Sequence, residues 1–447
     1  MSEALMLSEA LPEGYRMTEL GPLPEEWRVV RLGEVVEISK KPRKLFWTEK
    51  VPFIPMDAIP DDGAIYPLRV EWRASEDVRS GVYCEAGDIL FAKITPSLEN
   101  GKQAMVPPEI KRAFATTEVY PLKPTNQVEP LFLFALLQAP WVREQLAGKM
   151  EGSTGRQRLA KHVLLDFSFP LPPLPEQRAI AHVLRAVQRA KEATEQVIAA
   201  VRELKKSLMR HLFTYGPVPV DQAEAVEMKD TEIGPLPAHW RVVRLGEVVK
   251  ITKKPKRLFW TDKVPFIPMD AIPDDGTIYP WRVEWRSSKD VRSGIYCEAG
   301  DILFAKITPS LENGKQAMVP LQLKHAYATT EVYPLKPGSQ VGSLFLFSFL
   351  QASWVRRELA GKMEGSTGRQ RLPKHVLLNF SIPLPPLDEQ REIARMLQAV
   401  DEKIRAEEGR KAALEALFKT LLHDLMTAKR RLPAEFVARF KEGSPNE

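Results

Sequence analysis

Residues 84–107 read CEAGDILFAKITPSLENGKQAMVP, and the same 24 letters return at 297–320. Trp27 and Trp240, Lys93 and Lys306, Trp141 and Trp354, Gly155 and Gly368, and Glu176 and Glu389 all keep one offset of 213 residues, so the register runs without a gap through most of the repeat. VPFIPMDAIPDDG (51–63, 264–276) and GKMEGSTGRQRL (148–159, 361–372) are also unchanged. A solenoid repeats every ~20–50 residues in three or more copies. Here the period is a whole domain, long enough to bury its own core. The chain is one unit written twice.

Around the quoted stretch, each copy carries short β-rich runs (VPFIPM, AIYPLRVEW, GDILFAKI, QAMVP, TTEVYPL) broken by Pro, Gly and Asp-Asp-Gly turns. These predict a mixed or antiparallel sheet. LFLFALLQAPWVREQLAGKM (131–150) predicts a helix interrupted at Pro140. FSFPLPPLPEQ then stops the domain, and its Glu-Gln opens a long helix. Along that helix Ile180, Val183, Val187, Ala190, Thr194, Val197, Val201, Leu204 and Leu208 step by threes and fours, the spacing of a coiled-coil seam. The matching segment keeps Ile393, Met396, Val400, Leu414, Leu417 and Leu421 but puts Lys403, Glu407 and Arg410 at its centre. Gly409 lies there too, at a cost of roughly 1 kcal/mol relative to Ala.

The expected fold is α+β: two similar α/β domains separated by two long antiparallel coiled-coil helices with pseudo-two-fold symmetry. The expected boundaries are 1–173 for the N-terminal segment and first domain, 174–216 for the first helix, and 217–386 for a linker and the second domain. The second helix takes 387–430 and a tail 431–447. A helix of about 38 residues spans about 57 Å at ~1.5 Å per residue. Such helices are expected to act as a ruler between the domains.

Composition narrows the class. With 447 residues, 44% hydrophobic and 27% charged, this is a globular chain of two or more domains. It shows neither the basic start and apolar run of a signal peptide nor 18 consecutive apolar residues, so a cytoplasmic location is expected. Cys84 and Cys297 occupy one position in two copies, which excludes a disulfide framework and argues against a metal site. A net charge of +6 and a pI near 9 favour an acidic partner such as nucleic acid. Two-fold symmetry also matches a DNA duplex, on which one surface used twice reads the same word on both strands.

The order GPLPxxWRVVRLGEV (21–35, 234–248), a β-rich stretch, GSTGRQRL, PLPPLPEQR (170–178) or PLPPLDEQR (383–391), and a long helix, repeated once, closely resembles the specificity subunit of type I restriction-modification systems. The resemblance covers about residues 18–428. It implies two target recognition domains that each read half of a split site in double-stranded DNA. It also implies helical regions that bind two methyltransferase subunits and, through them, restriction subunits. S-adenosylmethionine is then expected on the methyltransferase, with no cofactor on this chain. The family's two recognition domains usually differ; these nearly coincide.

Base reading needs polar side chains on a rigid scaffold. KITPSLENGKQ (93–103) follows a strand and contains Pro96 and Gly101, so it predicts an exposed loop presenting Lys93, Thr95, Ser97, Asn100, Lys102 and Gln103. The second copy presents Lys306, Thr308, Ser310, Asn313, Lys315 and Gln316. SKKPRKLFWT (39–48) and TKKPKRLFWT (252–261) supply Lys40, Lys41, Arg43, Lys44 and Lys253, Lys254, Lys256, Arg257. Arg and Lys exchange places between the copies there, which suits phosphate contact better than bidentate base reading. In GSTGRQRL, Ser153 or Thr154 is expected to cap the short helix that follows. Arg156, Gln157 and Arg158, and likewise Arg369, Gln370 and Arg371, are expected to hold phosphate or reach a base.

A rival reading is an enzyme. Pro60-Asp61 followed by Glu109-Ile110-Lys111 loosely mimics a metal-dependent nuclease, but the second copy reads Gln322-Leu323-Lys324 and loses the acid. No phosphate loop, no G-x-G-x-x-G and no Asn/Asp-Pro-Pro-aromatic motif is present. No catalytic residue is therefore assigned. A tandem protein-binding scaffold without DNA specificity remains the alternative.

Overall fold

The computed structural model describes residues 11–42, 49–78, 80–153, 155–255, 262–291, 293–366 and 368–441. The chain forms two compact units, Met1–Thr194 with Arg410–Glu447, and Glu195–Gly409.

In the first unit the β-rich runs become two four-stranded sheets. One orders Glu71–Ala74, Lys50–Ile54, Arg112–Ala115 and Val82–Glu85; Lys50–Ile54 and Arg112–Ala115 are parallel and the other pairs antiparallel. The other orders Val36–Ile38, Val119–Pro124, Ile89–Ala92 and Gln103–Met105, antiparallel throughout. Ile89 and Phe91 face the core shared with the helices, while Leu90 joins Ile54, Cys84, Ala104 and Val119 on the opposite side. Successive side chains of a strand point to opposite faces. A strand covered on both faces has no position for a polar residue, which is why GDILFA shows no alternation. Arg28–Arg31 pairs with Ser168–Leu171 and so ties the start of the domain to its end.

The expected helix break is present: Pro130–Leu136 is followed by Pro140–Ala147, with proline in the first turn of each. There the missing N–H has no intrahelical partner to lose. In the second unit Ser353 stands where Pro140 does, and the break persists between Ser343–Gln351 and Ser353–Ala360. Proline therefore suits the break without causing it. The second unit otherwise repeats the first element by element, with sheets ordered Glu284–Ser287, Lys263–Ile267, His325–Ala328, Ile295–Glu298 and Val249–Ile251, Val332–Pro337, Ile302–Ala305, Gln316–Met318.

The long helices are Leu174–Tyr215 and Leu387–Met426. In the first unit Ile180, Ala181 and Leu184 share a core with Leu422, Leu425 and Met426. In the second, Met209, Leu212 and Phe213 share one with Ile393 and Leu397. Arg202 pairs with Glu408 at 2.6 Å and Lys205 with Asp401 at 2.5 Å. Numbers rise along one helix as they fall along the other, so the helices are antiparallel within each unit. Among the described residues no helix is long and apolar enough to cross a membrane.

The predicted seam needs correction. Ile180 and Ile393 are buried, and Val183, Val187, Met396, Val400, Val201, Leu208, Leu414 and Leu421 are half-buried. Val197, Leu204 and Leu417 face solvent at 40%, 57% and 46% exposure. Of the predicted row Thr194 is also buried, but the buried row otherwise runs through Leu184, Gln188, Lys191, Ile198, Met209 and Leu212. Each helix is covered by an α/β domain as well as by its partner helix, and that cover selects the face. Polar residues are tolerated on it because their heads find partners: Lys191 Nζ donates to the Asp62 carbonyl at 2.6 Å, and Lys205 has Asp401.

Candidate nucleic-acid interface

The loop after Ile89–Ala92 is held from beneath by a buried cation. The Arg143 guanidinium donates to the carbonyls of Leu137 (2.5 Å), Leu98 (3.1 Å) and Gly101 (3.3 Å) and to Gln103 Oε1 (2.5 Å). It lies 4.2 Å from the Phe91 ring centroid. Burial pulls its pKa down to about 9, which leaves it charged at neutral pH. Gln103 Nε2 donates to the Phe134 carbonyl at 2.7 Å. Arg356, Gln316 and Phe347 repeat this arrangement in the second unit.

Four predicted base contacts are overturned by these bonds. Gln103 and Gln316 are buried and satisfied internally, so they shape the loop and cannot reach a base. Lys102 Nζ donates to the carbonyls of Ile59 (2.7 Å) and Met56 (3.4 Å), and Lys315 Nζ to those of Ile272 (3.0 Å) and Met269 (3.3 Å). Those lysines pin the loop to MDAIP. Ser97 is buried and Ser310 half-buried. Asn100 and Asn313 remain at the exposed tip, while the hydroxyls of Thr95 and Thr308 donate to Glu99 and Glu312 at 3.1 Å.

The structure brings the root of this loop and GSTGRQRL together. Thr95 N–H donates to the Gln157 carbonyl at 3.1 Å and Leu159 N–H to the Lys93 carbonyl at 2.8 Å. Glu151 and Arg158 exchange both backbone bonds, at 3.0 and 2.8 Å. GSTGRQRL is thus a small hairpin rather than a helix cap. The helix Lys161–Leu165 starts after Ala160 with no side-chain cap, which corrects the role expected of Ser153; Thr154 lies outside the described residues.

Lys93, Thr117, Glu118, Tyr120, Glu151 and Arg158 line an open cavity of about 550 Å³. Lys93 Nζ sits 4.7 Å from the Tyr120 ring centroid, and burial holds its pKa below the usual lysine range. Arg158 donates to Glu118 at 2.8 Å. In the second unit Lys306 lies 4.9 Å from the Tyr333 ring, and Arg371 makes bonds of 2.8 and 3.0 Å to Glu331. The Arg371 hydrogen bond holds the Glu331 carboxyl below its usual range. Arg156 and Arg369 are exposed beside the cluster, and Gln157 and Gln370 half-buried. Cationic donors suit guanine O6 and N7, and a carboxylate accepts from the amino group of cytosine. Glu118 and Glu331 were missed from sequence. Their signal was TTE, kept in both copies before a strand and read only as strand.

Lys40, Lys41, Lys253 and Lys254 are exposed. Lys41 Nζ lies 5.1 Å from the Phe114 ring and Lys254 Nζ 5.5 Å from that of Tyr327, against a different sheet from Lys93. Arg43, Lys44, Lys256 and Arg257 lie outside the described residues. A second feature missed from sequence is the edge strand Glu71–Ala74 and its copy, where Trp72 and Trp285 are 64% and 62% exposed. Among the described residues no cluster of three or more His, Cys, Asp or Glu is placed to hold a metal ion.

Comparison with known proteins gives the family and the fold. The type I restriction modification DNA specificity domain matches residues 24–203 and again 237–416. The specificity subunit of the type I restriction enzyme MjaVIII of Methanocaldococcus jannaschii is 25% identical over 449 residues, covering 92% of this chain and 94% of the relative. That of EcoAI of Escherichia coli is 32% identical over 200 residues, 42% of this chain and 33% of the relative. A chain solved in work on complex assembly and conformational transition of the type I R-M system superposes with a TM-score of 0.56 at 22% identity, over 90% of this chain and 98% of that one. The type I S subunit from M. genitalium gives 0.54 at 14% identity, over 90% and 96%. With the specificity domain matched twice over most of its length, the chain belongs to the type I restriction-modification DNA specificity subunit family.

Proposed function

We propose that the chain is a non-catalytic subunit that reads one short DNA word twice, in inverted order, around a fixed spacer. The observation that carries this reading is the recurrence of Lys93, Glu118, Arg158 and Asn100 as Lys306, Glu331, Arg371 and Asn313, held by the same bonds. Equal donors and acceptors in equal places select equal bases. The antiparallel run of the helices within each unit supports an inverted rather than a direct repeat. Lys40, Lys41, Lys253 and Lys254 serve phosphate, which sets register without reading sequence.

Catalysis belongs, in this reading, to a methyltransferase subunit that carries S-adenosylmethionine, with restriction subunits joining through it. Val201, Leu204 and Leu208 recur as Leu414, Leu417 and Leu421, apolar residues that the recognition domains leave partly or largely uncovered. Two such stripes suit two copies of one partner, and we assign them to two methyltransferase subunits working in the cytoplasm.

Co-expression with the methyltransferase subunit, followed by genome-wide mapping of methylated positions, tests the reading. One word at both ends of the site, inverted, is expected; unlike words would refute the shared reading surface. Methyl transfer by the purified chain alone would refute the non-catalytic assignment. A protein scaffold without DNA specificity would show no steep loss of duplex binding with salt in a gel shift.

A further inference from the structure

One departure from the internal symmetry lies beside the long helix of the second unit. In the second unit an open groove of about 940 Å³ runs between the long helix, around Arg202 to Arg210, and the recognition domain. Asn313 and Gly314 of the candidate reading loop form one rim, and Arg357 of the helix Ser353–Ala360 lies along it. At the position of Lys205 the first unit has Phe418, which lines a small cavity of about 30 Å³ with Gly63, Gln138 and Gln188.

The charges differ as well. The groove is lined by six basic and four acidic residues, whereas the residues 213 positions away in the other copy comprise three basic and five acidic. Its net charge is +2 against −2 at the counterpart. Asp401, which pairs Lys205 from behind, narrows the difference to three charges without reversing it. Arg202 for Glu415, Lys205 for Phe418, Arg210 for His423 and Arg357 for Glu144 add six positive charges, and Glu203 for Ala416 with Ile404 for Lys191 takes back two. Arg202, Lys205 and Lys206 are engaged with Glu408, Asp401 and Glu203. Arg210 and Arg357 are exposed, on two different elements, and neither makes an ion pair among the described residues.

We infer that this groove takes the DNA phosphate backbone beside the half-site read by the second unit, and that the first unit has no equivalent clamp. The inference rests on the DNA-reading proposal above. Arginines on two walls beside a reading-loop tip are placed to neutralise successive phosphates. Glu144 and Glu415 at the counterpart positions repel the same strand. Two half-sites with one word are therefore held with unequal backbone affinity.

The test uses the full chain with its methyltransferase subunit and a random-sequence duplex, titrated with salt. Arg210→Ala with Arg357→Ala is expected to weaken binding of every sequence alike and to reduce the slope of log K against log salt by about 1.8, at ~0.9 per phosphate contact. Glu144→Ala with His423→Ala should bind no more weakly than the parent. Glu144→Arg should bind more tightly with a steeper slope, so the idea does not depend on a loss that misfolding mimics. An unchanged slope and affinity in the Arg210→Ala, Arg357→Ala protein overturns the inference. Intact DNA binding with lost retention of the methyltransferase subunit also overturns it, and assigns the groove to an acidic protein segment. If the parent complex fails to bind duplex at all, the DNA-reading proposal itself falls and the groove assignment with it.

Discussion

Gln103→Leu separates a shaping role from a reading role. The substitution removes the acceptor of Arg143 Nη2 at 2.5 Å and the donor to the Phe134 carbonyl at 2.7 Å. A hydrogen bond to a charged group contributes about 1.5–3 kcal/mol, and a buried carbonyl left without its donor costs ~1–3 kcal/mol. Extra apolar burial by leucine offsets ~1 kcal/mol. The net local loss is about 3 kcal/mol, because Arg143 keeps its three carbonyl partners. Since ~1.4 kcal/mol is tenfold in an equilibrium, the loop should open about 100-fold more often. Amide hydrogen exchange measures this with an internal control. The loops at 84–107 and 297–320 have one sequence, so the substitution marks the altered copy by mass while Gln316 reports the intact one. Fast exchange is expected only in the peptide that carries the substitution, with the order of preference among DNA words unchanged. Unchanged exchange together with a loss of ~1–3 kcal/mol in site-specific binding would show that Gln103 touches a base and that the burial argument is wrong.

Other outcomes follow from the same structure. Glu118→Gln with Glu331→Gln should change the methylated word at one position per half-site, at ~1–3 kcal/mol of discrimination; Lys40→Ala with Lys253→Ala should weaken all sequences alike and flatten the salt slope. An unchanged methylome in the glutamate variant would remove the cluster from base reading. Residues 1–216 alone should dimerise, because Ile180, Ala181 and Leu184 lose their cover of Leu422, Leu425 and Met426 while Met209, Leu212 and Phe213 stand at the matching positions of a second copy; sedimentation of a soluble monomer would contradict this. Lys205→Phe with Asp401→Gln copies the Phe418 and Gln188 arrangement and should raise the stability of the second unit by about 1–2 kcal/mol, since replacing a buried ion pair with packed groups is often favourable. Burial holds the Asp401 carboxyl above the usual Asp range. The folded state therefore keeps a proton that the unfolded state has released, and stability falls as pH rises through that window. Denaturant melts across acidic pH should show the fall in the parent and not in the double variant.

Duplication, the α+β class, the long helices and the break near Pro140 were legible from the sequence, the first as identical letters at one offset and the others as local patterns. Identical letters at one offset require identical folds, and proline-rich stops followed by Glu-Gln start a helix whatever surrounds it. The hairpin at GSTGRQRL was not legible. Its own pair, Glu151 and Arg158, is close in the chain, but the loop root at Lys93 that it docks on is remote, and local rules offered capping as the role of a Ser-Thr pair before a helix.

Exposure of individual polar residues was decided by tertiary packing. Gln103 and Asn100 sit in one polar loop and look alike as letters, yet a buried guanidinium from Arg143 claims the first and leaves the second at the tip. The helix face was settled the same way. Heptad spacing alone favoured Val197 and Leu204, but the domains cover the row through Lys191 and Ile198, whose polar member finds a carbonyl at 2.6 Å. Periodicity records which residues are apolar, whereas burial depends on which surfaces arrive from elsewhere in the chain. The sequence by itself therefore determined that one unit occurs twice and which family it belongs to. Only the tertiary structure decided which polar side chains of that unit are exposed, because the bonds that bury the others close across tens of residues.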